Sequence, residues 1–218
     1  MVKKKVKMKK RPFSGLRLIA VMAALIVIIP GCATLTQMAG ALSNLQRLKF
    51  KVAGVSGFTV SGIAIAGKQQ LNDFTLLDGI SLMAAYRNKK LPAGFTLNIE
   101  ALNPNDGTGG SPQTSSTLTS FEWRLLIDDK PTVSGNILKP IEIPGTGQSA
   151  VIPLQISLDL VEFFNEKGYN DLLNLALALG GAQSDISRLA IDAQPRVSTP
   201  LGEITYPGRI TIVSKEYR

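Results

Sequence analysis

Alternating apolar and polar residues predict that most of the chain folds as short antiparallel strands. The clearest case follows Pro92, where apolar residues at every second position place their side chains on one side of a strand. These are Phe95, Leu97, Ile99 and Ala101. Comparable patterns predict strands over 118–127, 132–141, 149–158, 186–193 and 209–214, and two more from Leu45 that are joined by a turn at Gly57. The pattern predicts a mainly β fold, an antiparallel sandwich with two helical insertions.

The two insertions lie at residues 73–86 and 159–180. The first has Phe74, Leu77, Leu82 and Ala85 near helical spacing, with Asn72 or Asp73 as the cap. The second is either one helix interrupted at Gly168 or two short helices, and Gly180 and Gly181 close it.

The second insertion carries more leucine than one packing face requires. Leu172, Leu175 and Leu179 share one helical face, and Leu173 and Leu177 share another. The favoured interpretation is a helix that is buried nearly all round at the open end of the sandwich. The alternative is an apolar surface or opening that meets acyl chains or a partner, with the helix near residues 76–86 as its other side.

The N-terminus has the order of a secretory signal. Residues 1–17 contain eight lysines and arginines and no acid, and the apolar run Leu18–Ile29 follows directly. Twelve helical residues rise about 18 Å, short of the roughly 30 Å hydrocarbon core of a bilayer. Pro30 and Gly31 then break the helix, so residues 1–31 are predicted to be a signal peptide.

The end of this signal resembles the lipobox of bacterial lipoproteins. In "IIPGC" an apolar residue stands three places before Cys32, the only cysteine of the chain, and Gly31 immediately before it. The resemblance implies cleavage between Gly31 and Cys32, a diacylglyceryl thioether on Cys32 and acylation of the new amino terminus. Three acyl chains would make a durable anchor. The alternative is a buried free cysteine in an ordinary secreted protein.

The predicted organisation is a signal peptide over residues 1–31, a lipidated tether over 32–43 and a single domain over 44–218. The acid that would usually mark inner-membrane retention is missing at Ala33, which favours the outer membrane within the cell envelope.

Charge excludes nucleic acid as a partner. The chain has 24 Lys and Arg against 16 Asp and Glu, a net charge of +8. Eight of the cations lie in the signal peptide, which leaves 16 cations and 16 acids beyond Cys32. A neutral mature chain has no electrostatic affinity for phosphate backbones.

Residues 95–214 resemble the late embryogenesis abundant type 2 family, also called the water stress and hypersensitive response domain. The resemblance lies in "NPN" at Asn103, Pro104 and Asn105, in the hairpin "FEWRLLIDDKPTVSG", and in "IPGTGQSAVIPLQISL". It implies an immunoglobulin-like or fibronectin III-like sandwich with a core at about residues 92–215. It also implies stress protection without catalytic residues and, in distant relatives, lipid handling.

Few residue types suited to catalysis are present. The chain has no histidine, which excludes Cys-His and Ser-His-Asp systems and His-containing zinc sites. Asp128 and Asp129 are expected to form a turn. "NPNDG" lacks the acid spacing of an EF-hand calcium loop, so a plain loop is favoured over a metal site. No catalytic residue, metal site or cofactor is predicted.

Three functions follow, in order of preference. The first is a non-enzymatic, lipid-anchored envelope protein that acts as a binding, scaffold or stress-protective module. The second is a lipid-binding or lipid-handling module with an apolar, helix-lined opening at one end of the sandwich. An enzyme is the third, because the only residues that support it are acids and serines, which any domain contains. The expected partners are the membrane, through the N-terminal lipid, and an envelope protein or lipid.

Overall fold

Antiparallel strands dominate the part of the chain that the computed structural model describes, namely residues 39–40, 42–107, 113–199 and 202–218. Leu42–Arg218 form one compact unit. In the other unit, Met1–Ala41, only residues 39 and 40 are described. The predicted mainly β architecture with few helices is confirmed.

Strands and helices alternate unevenly along the unit. The strands are β1 (Lys49–Val60), β2 (Ile63–Ala64), β3 (Pro92–Leu102), β4 (Ser116–Ile127), β5 (Lys130–Gly135), β6 (Ile141–Ile143), β7 (Ser149–Asp159), β8 (Leu189–Thr199), β9 (Gly202–Thr205) and β10 (Ile210–Ile212). The helices are α1 (Leu76–Arg87), α2 (Leu160–Phe163) and α3 (Tyr169–Gly180), with 3-10 turns at Leu71–Asp73 and Ile186–Arg188. A further helical turn covers residues 42–47.

The strands form two antiparallel sheets within the described residues. One has the order β2-β1-β3-β7, and the other has the order β10-β8-β4-β5, with β6 paired to β4 and β9 paired to β8. The inward residues of β3 alternate strictly with outward ones, as the sequence predicts. The rings of Phe50 in β1 and Phe121 in β4 lie 5.5 Å apart and join the two sheets in one core.

The prediction of two strands joined by a turn at Gly57 is wrong. β1 runs through this position, and its register against β3 shifts between Val52 and Gly54 and again between Ser56 and Thr59. Such bulges bend a strand without ending it. The hairpin turn comes later, at Ser61 and Gly62, which both have positive φ angles as a type I′ turn requires.

The turn at Asp128 and Asp129 is confirmed. Their φ angles are 50° and 62°, and Ile127 pairs with Lys130 directly across the two-residue turn. Lys130 therefore already belongs to β5, two residues before the predicted start of that strand at residue 132. β5 ends at Gly135, earlier than predicted, and β6 forms a separate strand.

Both helical insertions are confirmed, with corrected ends. Thr75 caps α1: its hydroxyl accepts from the Asp78 amide at 3.1 Å, and the Asp78 carboxylate accepts from the Thr75 amide at 3.0 Å. The cap predicted at Asn72 or Asp73 is wrong, because these residues lie in the preceding 3-10 turn. Of the two options left open for residues 159–180, the structure has two short helices, and α3 begins after Gly168.

The last turn of α3 lies directly on an aromatic pair of the sheet. Phe58 and Phe95 stack with ring centroids 4.8 Å apart and planes 7° from parallel. A Cβ atom at Gly180 would lie 2.3 Å from Phe58 Cγ. Only a residue without a side chain allows this approach of helix and sheet.

Gly180→Ala is therefore expected to lower the free energy of unfolding by about 2 kcal/mol, because the stacked ring cannot move aside without repacking. The control is Gly79→Ala in α1, where an added Cβ would meet nothing within 4 Å. That change is expected to raise the free energy of unfolding by about 0.5–1 kcal/mol through helix propensity. Denaturant titration of both variants measures the difference, and a stabilising effect of Gly180→Ala would contradict the packing.

The sheet that contains β1 ends at β7, which pairs with β3 on one side over its whole length. Pro153 lies in the middle of β7, opposite Asn98. Proline has no backbone N–H to donate, so a strand accepts it where that N–H would point to solvent and not to a neighbouring strand. This position therefore fits an edge strand.

Candidate functional site

The α3 leucines lie in the core. Leu172 and Leu179 are fully buried, and Leu173, Leu175 and Leu177 are at most 7% exposed. The helix is thus buried nearly all round, as the favoured interpretation holds. The apolar surface hypothesised for these five residues would need side chains that face outward, and the structure turns all of them inward against the sheet.

The exposed apolar residues lie on α1 instead. Leu76 is 81% exposed, Leu77 75% and Ile80 58%. With Met83 and Ala84 they form what we call the α1 outer surface. Leu76, Ile80, Met83 and Ala84 line a depression of about 590 Å³, which Arg87 and Asn88 close at one end.

The opposite face of α1 fixes the helix to the domain. Leu82 is fully buried, and the Tyr86 and Tyr169 rings lie 5.4 Å apart. The Tyr169 hydroxyl donates to the Gly79 carbonyl at 3.4 Å. Burial raises the pKa of the Tyr169 phenol above its usual value. One apolar face of α1 therefore packs on the domain, while a second apolar face is exposed to solvent.

Sequence analysis did not single out these exposed residues. It grouped Leu77 with Leu82 at helical spacing and named residues 76–86 only as the possible other side of an opening, whereas Leu77 is among the most exposed apolar residues of the described chain and Leu82 is buried. The intervals of four between Leu76, Ile80 and Ala84 place them on one side of a helix, but they do not show that this side is exposed.

Charges differ between the two ends of α1. Arg87, Lys89 and Lys90 are exposed at its C-terminal end. None of the ion pairs among the described residues involves these three cations. At the N-terminal end the Asp78 carboxylate is held by the helix cap and lies 4.0 Å from the Lys68 ammonium. The C-terminal end is the positive one.

A second apolar depression lies between β7 and the segment that leads into β6, and it shares no lining residue with the first. It has a volume of about 630 Å³ and is bordered by Leu138, Val151 and Gln155, among others. Leu138 is 85% exposed and Val151 56%. No group of charges accompanies this surface beyond Lys139 among its lining residues.

The "NPN" motif is a buried junction. Asn103 and Asn105 are fully buried, and Pro104 between them is half-buried. The Asn103 amide donates to the Thr114 carbonyl at 2.8 Å and to the Ile143 carbonyl at 3.3 Å, while its oxygen accepts from the Asn105 backbone N–H at 3.1 Å. The Asn105 amide donates to the Asn44 carbonyl at 3.3 Å. The motif therefore joins four separate segments of the chain.

Asp128, in the predicted turn, forms an ion pair with Arg188. The Arg188 guanidinium donates to the Asp128 carboxylate, Nε to Oδ1 at 2.7 Å, and this bond holds the pKa of Asp128 below its usual value. No group of three or more metal-ligating side chains occurs in the described part of the chain. The predicted lipidation and cleavage residues, Cys32 and Gly31, lie outside the described residues.

Residues 39–40, 42–107, 113–199 and 202–218 contain no helix with the length and hydropathy needed to cross a membrane.

Comparison with known proteins adds a distant likeness in structure and none in sequence. No protein-family model matches the chain, and no curated protein is similar to it in sequence. A crystal structure of a protein from Archaeoglobus fulgidus is similar over 58% of this chain and 82% of that chain, at 7% sequence identity and a TM-score of 0.32. Likeness at this level supports no functional argument.

Proposed function

We propose that this chain is a non-enzymatic lipoprotein of the cell envelope that acts as a binding, scaffold or stress-protective module at a membrane surface. The observation that carries the proposal is the lipobox-like "IIPGC" after a basic segment and an apolar run of twelve residues. Acylation of Cys32 would tether residues 44–218 to the outer membrane.

The strand order supports an immunoglobulin-like or fibronectin III-like sandwich as the folded module. In chain order β1, β3, β4, β7, β8 and β10 correspond to strands A, B, C, E, F and G. One sheet then contains A-B-E and the other C-F-G, which are the neighbours found in immunoglobulin-type sandwiches. Folds of this type serve many binding functions and need no catalytic site.

The "NPN" motif supports a likeness to the late embryogenesis abundant type 2 family in structure. Asn103 and Asn105 are buried, and their side-chain amides donate to backbone carbonyls, so the motif stabilises the fold. The alternative, a lipid-handling opening lined by the α3 leucines, is less well supported because those side chains are buried. We therefore favour action through the surface of the domain.

Intact-mass measurement of the protein extracted from membranes tests the proposal. We expect a chain that begins at Cys32, heavier than the polypeptide by three acyl chains and a glycerol, and enriched in the outer-membrane fraction. Cys32→Ser should abolish this modification and its cleavage, whereas the neighbouring Ala33→Ser should leave both intact. A full-length, unacylated chain that retains its N-terminal lysines would overturn the proposed anchor.

A further inference from the structure

We propose that the α1 outer surface docks on the phospholipid bilayer itself, with its apolar residues among the headgroups and acyl chains and the adjacent cations on lipid phosphates. The inference rests on the proposed lipid anchor, which would hold the domain beside a bilayer. It adds a second, non-covalent contact between protein and lipid at a defined surface.

The apolar part of this surface is a ridge of exposed side chains on a helix whose other side packs on the domain. Leu76, Ile80 and Ala84 follow one another at intervals of four, so that their side chains form a continuous ridge along three turns. Leu77 and Met83 broaden it. Such a ridge enters a bilayer only to the depth of the headgroups and first methylenes, which requires no spanning segment.

The helix is fixed in the orientation that the contact needs. The cap at Thr75 and Asp78 holds its first turn, and Leu82 and Tyr86 pack against the domain from the other side. The ridge is therefore ordered before it meets a membrane, and little conformational entropy is lost on contact.

The charges match a phospholipid surface. Arg87, Lys89 and Lys90 lie at the end of the ridge without an ion-pair partner among the described residues. The Asp78 carboxylate lies at the opposite end of α1, and the Asp159 carboxylate near Lys90 accepts from the Leu91 and Val161 backbone N–H groups. Anionic headgroups attract such juxtamembrane cations. The mature chain as a whole has 16 cations and 16 acids, so a local surplus of three cations gives the neutral domain a preferred side.

A bilayer fits this surface better than a second copy of the chain. α1 has 12 residues and is about 18 Å long, so its outer surface covers a few hundred Å² at most. A stable protein interface buries roughly 800 Å² on each partner. For a tethered domain the bilayer is present at high effective concentration, which allows a small contact to be occupied.

A fluorescent probe on a single engineered thiol tests the inference on the mature chain purified from membranes. An acylated Cys32 has no free thiol and the chain has no other cysteine, so Ile80→Cys labels one position only. With an NBD probe at residue 80, we expect a blue shift and a several-fold rise in emission when the protein is placed in vesicles of phosphatidylethanolamine and phosphatidylglycerol. Leu138→Cys, which is exposed on the other depression, is the matched control and should not change.

Each outcome decides one proposal. An unchanged probe at residue 80, a change at residue 138 alone, or a rise at residue 80 that follows protein concentration without vesicles would overturn the docking surface.

Labelling of the wild-type chain would instead overturn the anchor, since Cys32 would then be free. In that case flotation of the unlabelled chain with the same vesicles tests docking directly, and Ile80→Asp should reduce the bound fraction about tenfold or more. Equal flotation of both chains would overturn it.

Discussion

Asn103→Ala is expected to lower the free energy of unfolding by about 4 kcal/mol, because it leaves several buried polar groups without partners at once. The substitution removes both donors to the Thr114 and Ile143 carbonyls and the acceptor for the Asn105 backbone N–H. All of these contacts lie around a side chain with no solvent exposure, so water cannot replace them. Chemical denaturation monitored by the fluorescence of Trp123 measures the change.

Asn98→Ala is the matched control, since Asn98 lies in β3, the strand that leads into Asn103, and faces outward. Its side-chain amide makes one hydrogen bond, to the Ser56 hydroxyl at 3.4 Å, in an exposed setting. We expect a loss of no more than about 0.5 kcal/mol. Equal losses for the two variants would show that Asn103 does not join the segments as described.

Leu172→Ala is expected to cost about 3 kcal/mol in the free energy of unfolding, the usual effect of a cavity left by a fully buried leucine. Leu172 has no exposed surface, and α3 packs against β1 through its last turn at Gly180. Thermal or denaturant unfolding of the purified variant gives the value.

Leu76→Ala in α1 removes the same atoms from a residue that is 81% exposed. Its effect on stability is expected to stay within about 0.5 kcal/mol. The pair thus separates the helix that builds the core from the helix that presents an apolar surface. A small effect at Leu172 together with a large one at Leu76 would reverse the two roles.

Much of the β architecture could be predicted because its signal is local. In β3 and β7 the residues alternate every second position, and that period alone fixes which side is buried. The turn at Asp128 and Asp129 could be predicted for the same reason, since residues that tolerate positive φ stand between two apolar runs.

Other features depend on contacts that no local pattern encodes. Gly57 has a positive φ angle, which suits a turn as well as a bulge, and the pairing of β1 with β3 decides for the bulge. Asn103 bonds to the carbonyl of Ile143, 40 residues away. The sequence can show that "NPN" interrupts a strand, but the partners of the amides become known only from the fold.

The exposed residues of α1 could not be identified from the sequence because both sides of the helix are apolar. When apolar residues occur on two faces, periodicity does not say which face packs inward. The choice rests on tertiary contacts, here those of Leu82 and the Tyr86–Tyr169 pair. The leucines of α3 also occupy two faces of their helix, but there both faces are buried.

Pro153 also bears on how copies of this domain meet one another. An open sheet border with a full row of donors invites one copy to extend the sheet of the next. Proline supplies no N–H halfway along β7, so a strand added there would lack a bond at its centre. If the proposed lipid anchor gathers many copies on one membrane, the β7 border would still resist polymerisation into fibres.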